Sequence, residues 1–167
     1  MIRLASSTDL PVLEQVYDVA RAFMRANGNQ DQWSDGHPNA NDLSVDISNH
    51  RLYVVERNGE IEGSFVFYIG LDPTYAIIQD GAWLNNEPYG VLHKVASRQR
   101  MPGVASEILD YAKGQISNIR MDTHKDNIPM QHFMKKKGFQ HVGTIFLANG
   151  DPRLAFHLVN KGEKNGI

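Results

Sequence analysis

Apolar positions three and four residues apart organise the first part of the chain. Leu13, Val16, Ala20, Phe23 and Met24 form one helical stripe that runs to about Arg25. A short strand at residues 2–5 precedes it. Ser6-Ser7-Thr8-Asp9 supplies a helix start, with Pro11 tolerated in the first turn. Gly28 ends this helix. Residues 27–41, rich in Gly, Asn, Asp and Pro, are expected to form a loop that carries Gln32 and Trp33. An aromatic in such a loop either folds back as satellite core or closes over a pocket. A second helix is predicted from Asn41 or Asp42 through Ser48, with Leu43 and Ile47 on one face. The period then shortens. Residues 51–56 and 61–69 are strands around Asn58-Gly59, a strong hairpin signal, and Gly63 marks a bulge or weak point in the second. Asp72-Pro73-Thr74 is a turn, and Asn85-Asn86-Glu87-Pro88 is a loop.

The second half centres on residues 91–116. Val91 to Ser97 reads as a buried strand interrupted by His93 and Lys94, and Val104, Ile108, Tyr111, Ala112 and Ile116 form a helical stripe. The turn between them carries Arg98 and Arg100 but no acid. A strand that passes through such a turn into a helix presents free backbone N–H groups to an anion. Gly103 permits close approach, while Ala105 and Ser106 keep the first helical turn small. This is chemistry suited to a pyrophosphate. Neither the Gly-x-x-x-x-Gly-Lys-Ser/Thr loop nor the Gly-x-Gly-x-x-Gly fingerprint occurs. Beyond it, residues 119–123 are a strand. Asp126-Asn127 starts a helix with Pro129 in its first turn and Gly138 as its stop. Residues 140–147 and 153–159 form a hairpin across Asn149-Gly150. The expected result is a mixed α/β layer with helices on both faces of the sheet.

Composition narrows the function classes. The chain has 167 residues, 41% hydrophobic and 22% charged, with a net charge of −2. These values predict one domain over residues 1–160 with a polar tail at 161–167, and no general attraction to nucleic acid or membrane. An anionic ligand must then be attracted locally, by Lys94, Arg98 and Arg100. The absence of cysteine excludes disulfides, a thiol nucleophile and cysteine-bound zinc. No apolar signal core opens the chain, so a cytoplasmic protein is expected. Without Gly-x-Ser-x-Gly, serine hydrolase chemistry is not expected.

Arg100-Met101-Pro102-Gly103-Val104-Ala105 resembles the Arg/Gln-x-x-Gly-x-Gly/Ala motif of the GNAT N-acetyltransferase superfamily. A second match lies downstream. Asn127, Phe133 and Gly138-Phe139 fall in register with the family's Asn, Leu-Tyr and Gly-Phe pattern, with Met130 at the small position and Met134 at the tyrosine position. The order of elements is also that of the family, so the resemblance covers most of the chain. Gly28-Asn29, Gln32-Trp33, Asp122-Thr123-His124 and Met130-Gln131 are similar to a bacterial branch.

The resemblance implies a mostly antiparallel central sheet with one splayed parallel strand pair. It also implies acetyl-coenzyme A as co-substrate, a primary amine as acceptor, no metal, and a monomer or homodimer. By carry-over the pyrophosphate falls to Arg98, Arg100, Met101, Pro102, Gly103, Val104, Ala105 and Ser106. The pantetheine arm falls to Val95, Ala96, Ser97 and Asn127, the last also a natural helix cap. Because imidazole titrates near neutrality, His93 and His124 are candidate bases, with Asp122 to orient one of them or to hold the amine. Strand alternation places His93 and Val95 on the same side. Trp33, Trp83 and Tyr89 are candidates for the acceptor cavity. Met134 departs from the family, since methionine cannot protonate a leaving thiolate. Tyr111, Tyr89 or water must then serve, or the domain binds or senses acyl-coenzyme A without turning it over.

Overall fold

The computed structural model describes residues 1–160. The predicted tail at 161–167 lies outside the described residues. Among the described residues seven strands form one sheet: β1 (Ile2–Leu4), β2 (Leu52–Arg57), β3 (Glu60–Ile69), β4 (Gly90–Ser97), β5 (Asn118–Thr123), β6 (Gln140–Phe146) and β7 (Pro152–Val159). Their order is β1-β2-β3-β4-β5-β7-β6, and every neighbouring pair is antiparallel except β4 and β5. Among the described residues the α-helices are α1 (Leu10–Ala26), α2 (Ala40–Ser48), α3 (Val104–Gln115) and α4 (Ile128–Lys136).

Helix α1 buries the predicted stripe. Leu13, Val16 and Ala20 join Leu43 of α2 and Val54, Val66 and Ala96 of the sheet in one apolar cluster. Val104, Ile108 and Ala112 of α3 and Met134 of α4 cover the opposite sheet face, against Phe65, Phe67 and Leu92. Helix α2 begins earlier than predicted. Asn39, not Asn41 or Asp42, is its cap: its side chain accepts from Asp42 N–H at 2.9 Å, and Asp42 returns the bond to Asn39 N–H at 2.9 Å. This reciprocal box satisfies two orphan donors of the first turn.

The long connection 70–89 packs on the sheet through Tyr75 and Tyr89, against Val91, Val142, Ile145 and Ala155. Single contacts fix it. Gln79 exchanges 2.8 Å backbone bonds with Thr144, and Trp83 Nε1 donates to Tyr75 C=O at 3.0 Å. Arg120 lies between two aromatic faces, 4.2 Å from the Trp83 centroid and 3.9 Å from that of Tyr89. His157 is buried beneath. Its Nδ1 accepts from Leu84 N–H and its Nε2 faces Asn118 Oδ1, both at 3.0 Å, so the ring is neutral with its proton on Nε2.

Burial, helped by the charge of Arg120, pulls His157 down to about 4. An unfolded histidine titrates near ~6.5. The stabilisation is therefore complete above about pH 6.5 and is lost as the pH falls toward 4. A His157→Gln variant should be less stable than wild type near neutrality, with the gap in melting temperature shrinking toward about pH 4.5. A gap independent of pH would show that this ring is not held neutral.

Candidate active site

The cleft begins where the parallel pair separates. Strands β4 and β5 are in register only at Gly90↔Ile119 and Val91↔Arg120. Beyond these, β4 keeps its partner β3 on one side but has no strand on the other. A bulge sits at this point of β4. Ser64 pairs with Ala96 and Val66 with His93, so one extra residue faces Phe65, and Lys94 takes φ 52°. The bulge corrects the expectation from strand alternation. Val95 packs on the α3 side with Phe65, whereas His93 lies opposite Val66, on the α1 side with Ala96. The inserted residue turns the two side chains to opposite faces.

At the end of β4 the chain makes the predicted turn into α3. Gly103 caps the helix with φ 80°, a backbone region that other residues enter at a cost. The first capping bond runs from Glu107 N–H to Gly103 C=O at 3.0 Å, which leaves the N–H groups of Val104, Ala105 and Ser106 at the free end of the helix. The Val104 side chain is core, so only its backbone is available to a ligand. Arg57 fixes the turn from β2, donating to Pro102 C=O at 2.8 Å and to Glu107 at 2.9 Å. Gly63 permits the helix start to press on the sheet: a Cβ there would come within 2.5 Å of Val104 Cγ1.

The cations of this region already have protein partners. Arg100 grips Glu62 with Nε at 3.1 Å and Nη2 at 2.5 Å. Glu62 is the extra residue of a second bulge, between Val55 and Glu56 in the β2–β3 register, and is 1% exposed. The Arg100 guanidinium holds its carboxyl below the usual range. Lys94 pairs with Asp46 at 2.6 Å, and Arg98 donates to Gln15 at 3.1 Å and Ile61 C=O at 3.3 Å. The turn has no acid of its own, yet β3 brings one to it.

Two cavities adjoin at the splay. One, of about 170 Å³, runs from Ala105 past Ala96 and Ser97 to Phe133. The other, of about 220 Å³, contains Trp33, Asp72, His93, Asp122 and Arg153. Met24, Val95, Asn127 and Met130 line both. Asn127 caps α4 by accepting from Met130 N–H at 3.2 Å and donates Nδ2 to Gln32 Oε1 at 3.1 Å. Gln32 Oε1 also accepts from Asn29, Thr123 and His124 N–H. These bonds tie the loop after α1 across the end of β5. Trp33 follows on that loop, tilted on Tyr17 with centroids 5.6 Å apart, so it is both satellite core and cavity wall.

Charge in the larger cavity is concentrated around His93. The Tyr75 hydroxyl donates to Asp122 Oδ2 at 2.7 Å, so its oxygen is left to accept from His93 Nε2 at 2.9 Å. The same nitrogen lies 3.3 Å from Asp122 Oδ2 and 3.5 Å from Asp72 Oδ2. Its proton is thus directed inward, which leaves Nδ1 as the nitrogen able to act as a base. Burial pulls the imidazole down, but the hydrogen bond and charge of Asp122, then the charge of Asp72, outweigh it and leave the pKa raised. Burial pushes the Asp122 carboxyl up, and His93 and Tyr75 more than offset it, so it titrates below its usual range. Burial and the two aspartates lift the Tyr75 phenol well above 10.0.

Other predicted residues fall elsewhere. His124 is a loop residue: its Nδ1 accepts from Asp126 N–H at 3.0 Å, and it lines neither cavity. Asp31, His124 and Asp126 bring their ligand atoms within 4.8 Å of one another outside the cavities. Trp83 and Tyr89 belong to the cluster behind Tyr75, not to the cavity wall, because Arg120 draws both rings away from it. Tyr111 packs tilted on Tyr53 and edge-on to Phe65 and Phe67. Met134 is wholly buried and lines neither cavity, and Met130 and Phe133 present α4 to the groove instead. A Met134→Tyr exchange should therefore overfill the core and cost about 1–3 kcal/mol. An unchanged melting temperature would contradict this placement. Sequence reasoning missed Asp72, Tyr75 and Arg153. Asp72 showed only as a turn residue, and the other two carried no local signal.

No family model matches the chain, and no curated protein sequence matches it. Solved structures do. A GNAT-family acetyltransferase from Streptococcus agalactiae is similar at 31% identity and TM-score 0.85, over 96% of this chain and 95% of that one. A putative acetyltransferase from Staphylococcus aureus shares the fold at 24% identity and TM-score 0.70, over 95% and 98%. The aminoglycoside acetyltransferase AAC(6')-Ib, solved with coenzyme A and kanamycin, shares it at 18% identity and TM-score 0.63, over 99% and 98%. With the splayed strand pair and the strand–turn–helix at Gly103, the chain belongs to the GNAT family of acetyltransferases.

Proposed function

We propose that the protein moves an acetyl group from acetyl-coenzyme A to a primary amine by direct attack in a ternary complex. The observation that carries this is the pair of cavities meeting at Val95 and Asn127 where β4 leaves β5. One ends at the free N–H groups of α3 and the other at the His93 cluster. The residues fit the cofactor on three counts. A Gly103 Cβ would meet nothing closer than Arg57 at 3.8 Å, the helix start is without a side-chain cap, and the open edge of β4 lines the groove. Val104, Ala105 and Ser106 would bind the pyrophosphate through their N–H groups, with Arg98 and Met101 to Gly103 beside them. Arg100 would act by charge, because its fork is already occupied by Glu62. Ala96, Ser97 and Asn127 would hold the pantetheine arm, and the Val95 amide would polarise the acyl oxygen. When bound, acetyl-coenzyme A supplies an activated thioester.

The chain's own chemistry then concerns the amine. A lysine-like amine, with pKa ~10.4, is almost wholly protonated at neutral pH. Asp122 and Tyr75 fix Nε2–H, so neutral His93 takes the amine's proton at Nδ1, and the charges of Asp122 and Asp72 stabilise the imidazolium that forms. A second interpretation, a non-catalytic acyl-coenzyme A-binding domain, draws on one observation: among the described residues no tyrosine lines either cavity. Calorimetric titration with acetyl-coenzyme A tests the shared part of both. Saturable binding with a rise in melting temperature is expected. No heat and no shift would remove the cofactor from the assignment.

A further inference from the structure

The larger cavity has a cationic group that the acetyl transfer described above does not use. Arg153 is 5% exposed, yet it lines that cavity. Its Nη1 donates to the adjoining Pro152 C=O at 2.8 Å and its Nη2 to Gln32 C=O at a long 3.4 Å. Among the described residues no carboxylate forms an ion pair with it, although its charge reaches Asp122 and helps to hold that carboxyl down. The other basic side chains on the wall differ, since Lys94 is held by Asp46, His37 by Asp42 at 2.8 Å and His93 by Asp122 at 3.3 Å. A buried guanidinium without an anion is costly, and a carboxylate ligand offsets that cost through paired, charge-assisted bonds.

Its position relative to the acids is set by the sheet. Asp122 on β5 is directly opposite Ala155 on β7. Arg153 is two residues along β7, so it shares the face of Asp122 at a diagonal position roughly 7–8 Å away. The cavity therefore carries two acids with His93 and, one diagonal step from Asp122, a guanidinium that no carboxylate grips. Its apolar walls include Met24, Trp33, Leu92, Met121 and Leu147. At about 220 Å³ it is smaller than most ligand sites, which span roughly 300–1,000 Å³.

Resting on the acetyltransferase assignment, we propose that the acceptor is a small free amino acid with an apolar side chain, its amine beside His93 in the field of Asp72 and Asp122 and its carboxylate on Arg153. One such molecule satisfies both groups without adding net charge. A polycationic acceptor would set an amine against Arg153, and an amine without a carboxylate would leave the guanidinium unpaired.

The test uses the common protein amino acids, each beside its α-amide. Melting shifts are read without cofactor, and thiol release is read with acetyl-coenzyme A. At least one apolar amino acid is expected to bind and to be acetylated with KM at least about tenfold below that of its amide. In Arg153→Gln that KM should rise roughly 30-fold or more, while the amide's KM stays within a few-fold. Arg153→Lys should recover part of the loss, which guards against a glutamine variant that fails to fold. Amides used as well as acids, an equal loss for both, or no amino acid bound at all would overturn the proposal and leave the transferase assignment standing. If acetyl-coenzyme A itself does not bind, that assignment fails, and the melting shifts decide the amino-acid site alone.

Discussion

Exchange of His93 for Gln is expected to lower kcat/KM for acetyl transfer by about 10²–10⁴-fold, with a much smaller change in melting temperature. Glutamine keeps the volume and can still donate toward Tyr75, but it has no nitrogen that accepts a proton. The pH profile gives the sharper reading. A base must be neutral, and the acids around His93 raise its pKa above the ordinary ~6.5, so the rate should climb with pH through an inflection above that value. Asp122→Asn should move the inflection down, because the charge that raises the imidazole is gone. Stability follows the same equilibrium. A raised folded pKa gives stabilisation that is complete below about 6.5 and lost as the pH rises through the folded value. Melting temperatures across that interval should thus fall in wild type relative to His93→Gln. Wild-type turnover in the variant, or an inflection unmoved in Asp122→Asn, would take His93 out of the proton transfer.

The second large effect is on the cofactor. Gly103→Glu should abolish saturable binding of acetyl-coenzyme A. It sets a carboxylate where the phosphates are assigned, and it forces a side chain onto φ 80°. Gly103→Ala separates the two causes, since it carries the backbone strain, of roughly 1–2 kcal/mol, without the charge. A Cβ alone meets only Arg57, at 3.8 Å, so space is not limiting. Retained binding in Gly103→Ala with loss in Gly103→Glu locates the anion at this turn. A folded Gly103→Glu protein that binds as well as wild type would show that the pyrophosphate lies elsewhere.

What the sequence made legible was local. The α1 stripe, the Asn58-Gly59 hairpin, the turn at Gly103 and the cap at Asn127 each carry their signal within a few residues, and all are present. The parallel pair was implied by the family resemblance, and its separation after Val91 is the feature that makes the cleft. The rest needed contacts between distant segments. Tyr75, His93 and Asp122 meet only because the 70–89 connection folds over β4 and β5. The bulge at Lys94 places a non-glycine residue at positive φ, which no turn dipeptide announces, and it reversed the face deduced for Val95. Arg100 looked free because its partner Glu62 is on β3 and is brought close by a shift of register. Trp83 and Tyr89 suggested a pocket by type, whereas Arg120 between them makes them core.

The central claim is that acetyl passes directly to an amine in the cavity beside His93. Mass analysis of amine and protein after incubation with acetyl-coenzyme A tests it most directly, with the released thiol measured in the same sample. The expected result is acetylated amine in proportion to free thiol, an unmodified protein, and both products lost together in His93→Gln. Acetyl-coenzyme A bound but never consumed with any amine would contradict it, as would thiol released without an acetylated amine.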